Sequence, residues 1–269
     1  MEETPLLQNQ RASTGVDMRK TMNLLLGLAL IAAPAALGAA PANVAAAVSA
    51  PGRSEDNVKR DESRKPAELL KFFGLQQGMQ VADMFGGNRY WAEILAPAVG
   101  PSGHVTVWEP TQFYDPDSKK AFEAFAAKTP NVSIISTAFE APSLPPNTFD
   151  FMLINLDYHD VYWENAKYKV VKMDPDAWLK TAFAAMKPGG IVGVVDHVAK
   201  AGTPPRESVE KFHRIDPAVV KADFERAGFV LDGTSDMYKN PADDHSLLVF
   251  DKAIQGKTDR FIYRFRKPS

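Results

Sequence analysis

Val81-Ala82-Asp83-Met84-Phe85-Gly86-Gly87-Asn88-Arg89-Tyr90-Trp91 is the stretch from which the rest of the chain is read. A short apolar run ends in an acid, turns through two glycines and opens into Ala92-Glu93-Ile94-Leu95-Ala96. Strand, glycine turn and helix in that order form the first unit of a nucleotide-binding α/β sheet. Glycine suits the turn because it tolerates unusual φ/ψ values and lets a ligand approach bare backbone. The helix that follows aims its free N–H groups at whatever lies over the turn. Further on, Val105-Thr106-Val107-Trp108-Glu109 is a second strand ending in an acid, placed to accept hydrogen bonds from a ribose. The two acids together are a more specific signal than a glycine turn alone.

Outward from this unit the pattern stays α/β. Residues 63–73 read as a helix with Leu69, Leu70, Phe72 and Phe73 on one stripe, stopped by Gly74. Further helices are expected over 90–99, 117–128, 174–186 and 217–227, and strands over 132–136, 149–156, 191–196 and 229–234. The run Phe149 to Leu156 is almost continuously apolar, as a central parallel strand buried on both faces would be. Leu247–Phe250 and Arg260–Arg266 are two more strand candidates. The second alternates well and supplies a last, antiparallel strand, which leaves 239–257 as a long acidic loop.

The order strand, acid, glycine loop, helix, strand, Glu, followed by Met186-Lys187-Pro188-Gly189-Gly190 before another strand, resembles the class I S-adenosylmethionine-dependent methyltransferases. The tail, Asn240-Pro241-Ala242-Asp243-Asp244-His245 through Gly256-Lys257-Thr258-Asp259-Arg260-Phe261, is similar to a bacterial branch of that family, many of whose members carry export signals. The resemblance covers roughly residues 60 to 268. It implies a doubly wound, mostly parallel seven-stranded sheet of the Rossmann-like type with an antiparallel last strand. It also implies S-adenosyl-L-methionine as cofactor, a small-molecule methyl acceptor, a lid helix at 63–73 and an adenine-side role for Glu140. Where the family has three small residues in its loop, this chain keeps Gly86 and Gly87 but carries Asn88 and Arg89.

A chain of 269 residues with this pattern after residue 60 reads as one domain, 63–269. The formal net charge of -2 gives no reason to expect nucleic acid as a partner. With no cysteine, disulfides, thiol nucleophiles and thiolate metal sites are excluded. Arg19-Lys20 before Leu24–Ala33 and an Ala-rich exit to Ala50 read as a secretory signal, with cleavage at Ala45-Ala46-Ala47 or Ala40-Pro41-Ala42. Glu2, Glu3 and Asp17 are wrong for a signal's first region, so Met18 is the better start. Residues 1–50 are thus assigned to an extension and signal and 51–62 to a polar linker. The mature protein is expected to be periplasmic or extracellular, without stable membrane insertion.

In open parallel sheets ligands bind beyond the carboxyl ends of the strands, where strand order reverses. That rule selects Asp83, Gly86, Gly87, Glu109 and Asn155 for the cofactor, with Asp83 able either to meet ligand or to hold the turn. It selects His159, Asp160 and His197 for catalysis. Both histidines stand beside acids, which suits an imidazole that takes a proton from an acceptor; the plainer alternative is a histidine bonded to backbone at a strand end. Tyr158 and Trp163 could wall a flat acceptor. A metal at Asp243-Asp244-His245 would require His159 or His197 to join it, because three adjacent residues cannot converge on one ion, and no metal is assigned. Two other functions share these residues: an exported, non-catalytic ligand-binding protein on the same scaffold, and a metal-dependent hydrolase.

Overall fold

The computed structural model describes residues 40–269. The basic pair and apolar run read as a signal lie outside the described residues. Among the described residues four helices precede the sheet: α1 (Val44–Val48), α2 (Glu55–Val58), α3 (Asp61–Arg64) and α4 (Pro66–Phe73). Then follow β1 (Gln80–Met84), α5 (Ala92–Val99), β2 (His104–Pro110), α6 (Pro116–Ala126), β3 (Val132–Thr137) and β4 (Phe149–Asn155). A 3₁₀ turn over Tyr158–Tyr162 leads to α7 (Pro175–Ala185) and β5 (Met186–His197). The chain closes with α8 (Pro205–Phe212), α9 (Pro217–Arg226), β6 (Val230–Ser235) and β7 (Arg260–Arg266).

The seven strands form one sheet in the order β3-β2-β1-β4-β5-β7-β6. The first five run parallel, and β7 pairs antiparallel with both β5 and β6. This is the expected mostly parallel sheet with an antiparallel last strand. Strand order reverses between β1 and β4, because the chain moves outward from β1 to β3 and then returns to β1's other side.

Alternate residues of the central strands feed two cores. Val81, Phe151 and Leu153 join Leu95 and Phe73 on one face. Ala82, Met152 and Ile154 join Trp178 and Phe224 on the other. Burial on both faces explains the continuous apolar run in β4. Helices α6, α7 and α9 start on Asp115, Asp174 and Asp216, whose side chains accept hydrogen bonds from first-turn N–H groups ahead of a proline. That combination satisfies free donors and pre-sets φ.

Several boundaries differ from the sequence reading for local reasons. The helix expected at 63–73 is split, with Lys65 left-handed at φ 37°; the proline at 66 disfavours helical backbone just before it. Leu247–Phe250 is not a strand, since these residues turn and their backbone serves Arg214 and Phe212 instead. Strand β5 begins at Met186, paired with Phe149, and its pairing resumes at Ile191 with Phe151, so Lys187–Gly190 bulges out. The stretch 51–62 contains α2 and the start of α3. Its charges are answered within the protein: Arg53 donates to both Asp61 oxygens at 2.6 and 2.8 Å, and the Tyr90 hydroxyl donates to Asp61 at 2.8 Å.

Candidate functional site

The carboxyl ends of β1, β2, β4 and β5 open into a cavity of about 970 Å³, roofed on one side by α2 and α3. Its floor is the loop from Phe85 to Arg89. Neither Gly86 nor Gly87 has a positive φ; the left-handed residues are Phe85 at 59° and Arg89 at 64°. The glycines are needed for space instead. A Cβ on Gly87 would lie 2.6 Å from the Glu109 carboxyl carbon. On Gly86 it would strike the Asp83 carboxylate, with the carboxyl carbon 2.7 Å away. The expectation of glycine for unusual φ is therefore corrected to glycine for close approach. Leu156, at φ 69°, and His213, at φ 50°, also line the cavity. Such backbone costs roughly 1–3 kcal/mol per residue and clusters at sites where the surrounding structure imposes it.

Glu109 reaches from β2 across the loop and accepts a hydrogen bond from the Gly87 N–H at 2.9 Å. Burial raises its carboxyl to about 7, against the pull of that N–H. Asp83 is wholly buried beneath the loop; neither oxygen makes a well-formed hydrogen bond, and the nearby Ala92 backbone N–H pulls its carboxyl down only weakly. Burial, with the Glu109 charge, raises it to about 8. Asp83 does not line the cavity; it supports the turn from below. Asn155 lines the cavity at the end of β4. Glu140 does not: it is exposed and accepts from the Gln112 side chain at 2.9 Å, because its neighbour Phe139 takes the inward position. Glu140 thus stands outside the cavity that the other expected cofactor residues share or border.

A second group of residues meets where β4 and β5 end. Asp196 accepts from the His159 backbone N–H and ring Nδ1, each at 2.8 Å, and from the His197 backbone N–H at 2.7 Å. A carboxylate only accepts, so His159 carries its proton on Nδ1 and turns Nε2 outward. That Nε2 lies 3.3 Å from His213 Nδ1 and 3.4 Å from Asp160 Oδ1. Burial pulls the His159 ring down, but Asp196, Asp160 and Asp157 outweigh it and raise the ring to about 9. His197 is held well below the usual histidine value by burial, with the nearby charges of His159 and Arg260 adding to it. Its Nδ1 is 2.7 Å from Thr258 Oγ1. His159, Asp160 and His197 all line the same cavity as Glu109 and Asn155.

Other expectations fare differently. Trp163 lines the cavity, with Tyr168 beside it at 5.6 Å between ring centroids. Tyr158 does not; its ring lies in the core and its hydroxyl donates to Asp223 at 2.8 Å. Asp243 is tied to buried Arg214 at 2.9 Å and His245 to Asp259 at 3.0 Å, so that loop is a structural clamp and not a metal centre.

Sequence reasoning passed over Arg64 and Asn57, both of which line the cavity, as does His213. The Arg64 guanidinium packs over the Tyr90 ring at 4.3 Å and is lowered by burial. It makes no ion pair with any described carboxylate. A cationic residue two places before Pro66 carried no signal, because α3 was read as part of a linker and a longer helix.

No family model matches this chain. Demethylmenaquinone methyltransferases from Listeria monocytogenes and Listeria welshimeri are 30% identical to it over 131 residues, which is 48% of this chain and 49% of theirs. The chain thus spans about half the length of the curated relatives it matches. Among solved structures, a SAM-dependent methyltransferase from Aquifex aeolicus superposes with a TM-score of 0.53 at 20% identity, over 80% of this chain and 100% of that one. Phosphoethanolamine N-methyltransferase 2 from Haemonchus contortus, in complex with S-adenosyl-L-methionine, gives 0.55 at 16% identity, over 77% of this chain and 53% of that one. The [4+2]-cyclase SpnF gives 0.57 at 15% identity, over 87% and 88%. The fold is that of the Rossmann-like methyltransferases.

Proposed function

We propose that this chain binds S-adenosyl-L-methionine across the β1–β4 switch point and transfers its methyl group to a small-molecule acceptor. The observation that carries this reading is Glu109 folded over the glycine loop. A buried acid from the end of β2 meets the backbone of the β1 turn, with Gly87 leaving room for nothing larger than a hydrogen. That arrangement suits a ribose diol at Glu109 and a ligand lying against bare backbone. Arg64, cationic and lacking a carboxylate partner among the described residues, would receive the carboxylate of the cofactor's amino-acid portion. Asn155 would lie beside the sulfonium centre.

The bound cofactor supplies an electrophilic methyl on sulfur. The chain's own residues hold the acceptor in line with it and keep water out, which is the larger part of such catalysis. On the acceptor side Trp163 and Phe113 offer an apolar wall, and His197 is placed to take a proton from an acceptor hydroxyl or amine. No covalent enzyme intermediate is needed.

A second reading, a binding protein that has lost methyl transfer, is favoured by one feature: Arg89 sits in the loop at φ 64° where a small residue would leave more room. The likeness to SpnF, a [4+2]-cyclase, also illustrates that this fold does not fix the reaction. Isothermal titration with S-adenosylhomocysteine, followed by single-turnover methyl transfer, separates the readings. No binding at millimolar ligand removes the methyltransferase reading; binding without transfer to any acceptor favours the second.

Export belongs to the same proposal. Among the described residues no helix is long and apolar enough to cross a membrane. Cleavage after Ala42 would leave α1 whole, with the Asn43 side chain still accepting from Ala46 N–H at 3.1 Å. Cleavage at Ala45-Ala46-Ala47 would cut a helix whose Val44 and Ala47 are buried in the core. N-terminal sequencing from the native host should therefore find Asn43 first.

A further inference from the structure

We infer that His159, Asp160 and His213 form a binding site for one divalent transition-metal ion of the zinc class. The three facing atoms are His159 Nε2, His213 Nδ1 and Asp160 Oδ1, and they make an almost equilateral triangle with sides of 3.3, 3.4 and 3.4 Å. The His159–His213 separation is a long hydrogen bond, and the two contacts to Asp160 Oδ1 lie beyond hydrogen-bond geometry. The three separations equal the edge of a tetrahedron whose centre lies about 2.0–2.1 Å from each corner, the bond length that imidazole nitrogen and carboxylate oxygen make to zinc. An ion placed there would leave a fourth position open.

The surroundings complete the pattern. Asp160 Oδ1 is buried and has no hydrogen-bond partner, so it is an acceptor without an occupant. His159 donates from Nδ1 to Asp196 at 2.8 Å, the outer carboxylate that commonly fixes a metal-binding imidazole in orientation and tautomer. Asp160 and Asp196 also give the pocket the negative charge that a cation needs. The Trp163 and Phe250 rings pack against His213 at 5.3 and 5.2 Å and shield one side with apolar surface. All three ligands line the cavity, so an ion could enter and its open position would face the space assigned to the acceptor. Two histidines and one carboxylate favour zinc, cobalt or nickel over magnesium or calcium, which prefer all-oxygen cages.

On the methyl-transfer reading, a hydroxyl or thiol of the acceptor would occupy the fourth position and lose its proton more readily there. That consequence rests on the proposed function; the metal site does not.

The test uses untagged full-length protein stripped with chelator and titrated with zinc chloride, and separately with cobalt(II). One zinc per chain is expected, together with the intense visible bands of four-coordinate cobalt. Asp160→Asn keeps the shape, and His213→Asn keeps a residue that tolerates the left-handed backbone at φ 50°. Each should weaken zinc by more than the roughly 10–100-fold that follows loss of a residue that only braces a ligand. Their melting curves and S-adenosylhomocysteine titrations should match wild type. Absence of zinc uptake by folded wild-type protein would overturn the assignment, as would variants that bind zinc as tightly as wild type. Because cofactor binding is read separately, failure of this site leaves the methyl-transfer reading standing, and the reverse holds too.

Discussion

Replacing Asp83 with Asn should make the protein more stable at neutral pH, and by an amount that grows with pH. Asp83 is fully buried, has no well-formed hydrogen bond to either oxygen, and lies near the Glu109 carboxylate. The positive charge of Arg64 and the nearby Ala92 backbone N–H only partly offset this. Its carboxyl rises from an ordinary 3.8 to about 8. An acid raised on folding contributes its full stability below the unfolded value and loses it as pH climbs to the folded one. The loss therefore begins near pH 4 and is complete near pH 8. At about 1.4 kcal/mol per pH unit, the interval up to pH 7 corresponds to about 4 kcal/mol as an upper limit. Asn has nearly the same shape and no charge, so that loss disappears. Urea denaturation of wild type and Asp83→Asn at pH 5, 6, 7 and 8 should show the variant ahead by up to about 1.7 kcal/mol at pH 5 and by roughly a further 1.4 kcal/mol per pH unit until near pH 8, at constant m-value. Parallel curves, or a variant less stable than wild type at pH 8, would mean that Asp83 is ionised and partnered in the folded state. A neutral, unpartnered acid beneath the glycine loop would then be refuted.

Other outcomes follow from the same geometry. Glu109→Ala should weaken S-adenosylhomocysteine by roughly 1–3 kcal/mol in calorimetric titration, since ribose hydroxyls lose a charged acceptor. Gly87→Ala should abolish that binding with little change in melting temperature, because the new Cβ, 2.6 Å from the Glu109 carboxyl carbon, pushes a flexible side chain out of place and not the backbone. Arg89→Gly should stabilise the protein by about 1 kcal/mol in urea melts, as glycine takes the left-handed backbone without strain. His197→Ala should slow single-turnover methyl transfer by about 10²–10⁴-fold while cofactor affinity holds; full activity per folded molecule would remove His197 from the mechanism.

The sheet was readable because its signals are local. Apolar runs such as Phe149–Leu156 and the alternating Arg260–Arg266 declare strands without help from distant residues. Asn155, His159, Asp160 and His197 were found by a rule about strand ends, and the cavity does collect them. What escaped depends on contacts between distant segments. Polar residues of 51–62 look solvated until Asp61 is seen holding Arg53 and Tyr90. Glu140 and Tyr158 sit at plausible positions but face away, because one residue's rotation along a turn decides which side chain enters the cavity. The approach of His213 to His159 arises only through the tertiary fold.

The place of β7 has a consequence for how the protein is made. It lies between β5 and β6, so β6, although synthesised earlier, has no seat in the sheet until Arg260–Arg266 has emerged. A nascent chain that ends before Arg260 carries a bare β5 edge and an orphan β6, both open to pairing with other chains. Completion of the sheet is thereby deferred until all the other strands have been made. Were the chain exported as proposed, such delay would help, since a half-built sheet unravels more easily than a closed one. In a cell that stalls or clips the product early, the same delay becomes an aggregation hazard.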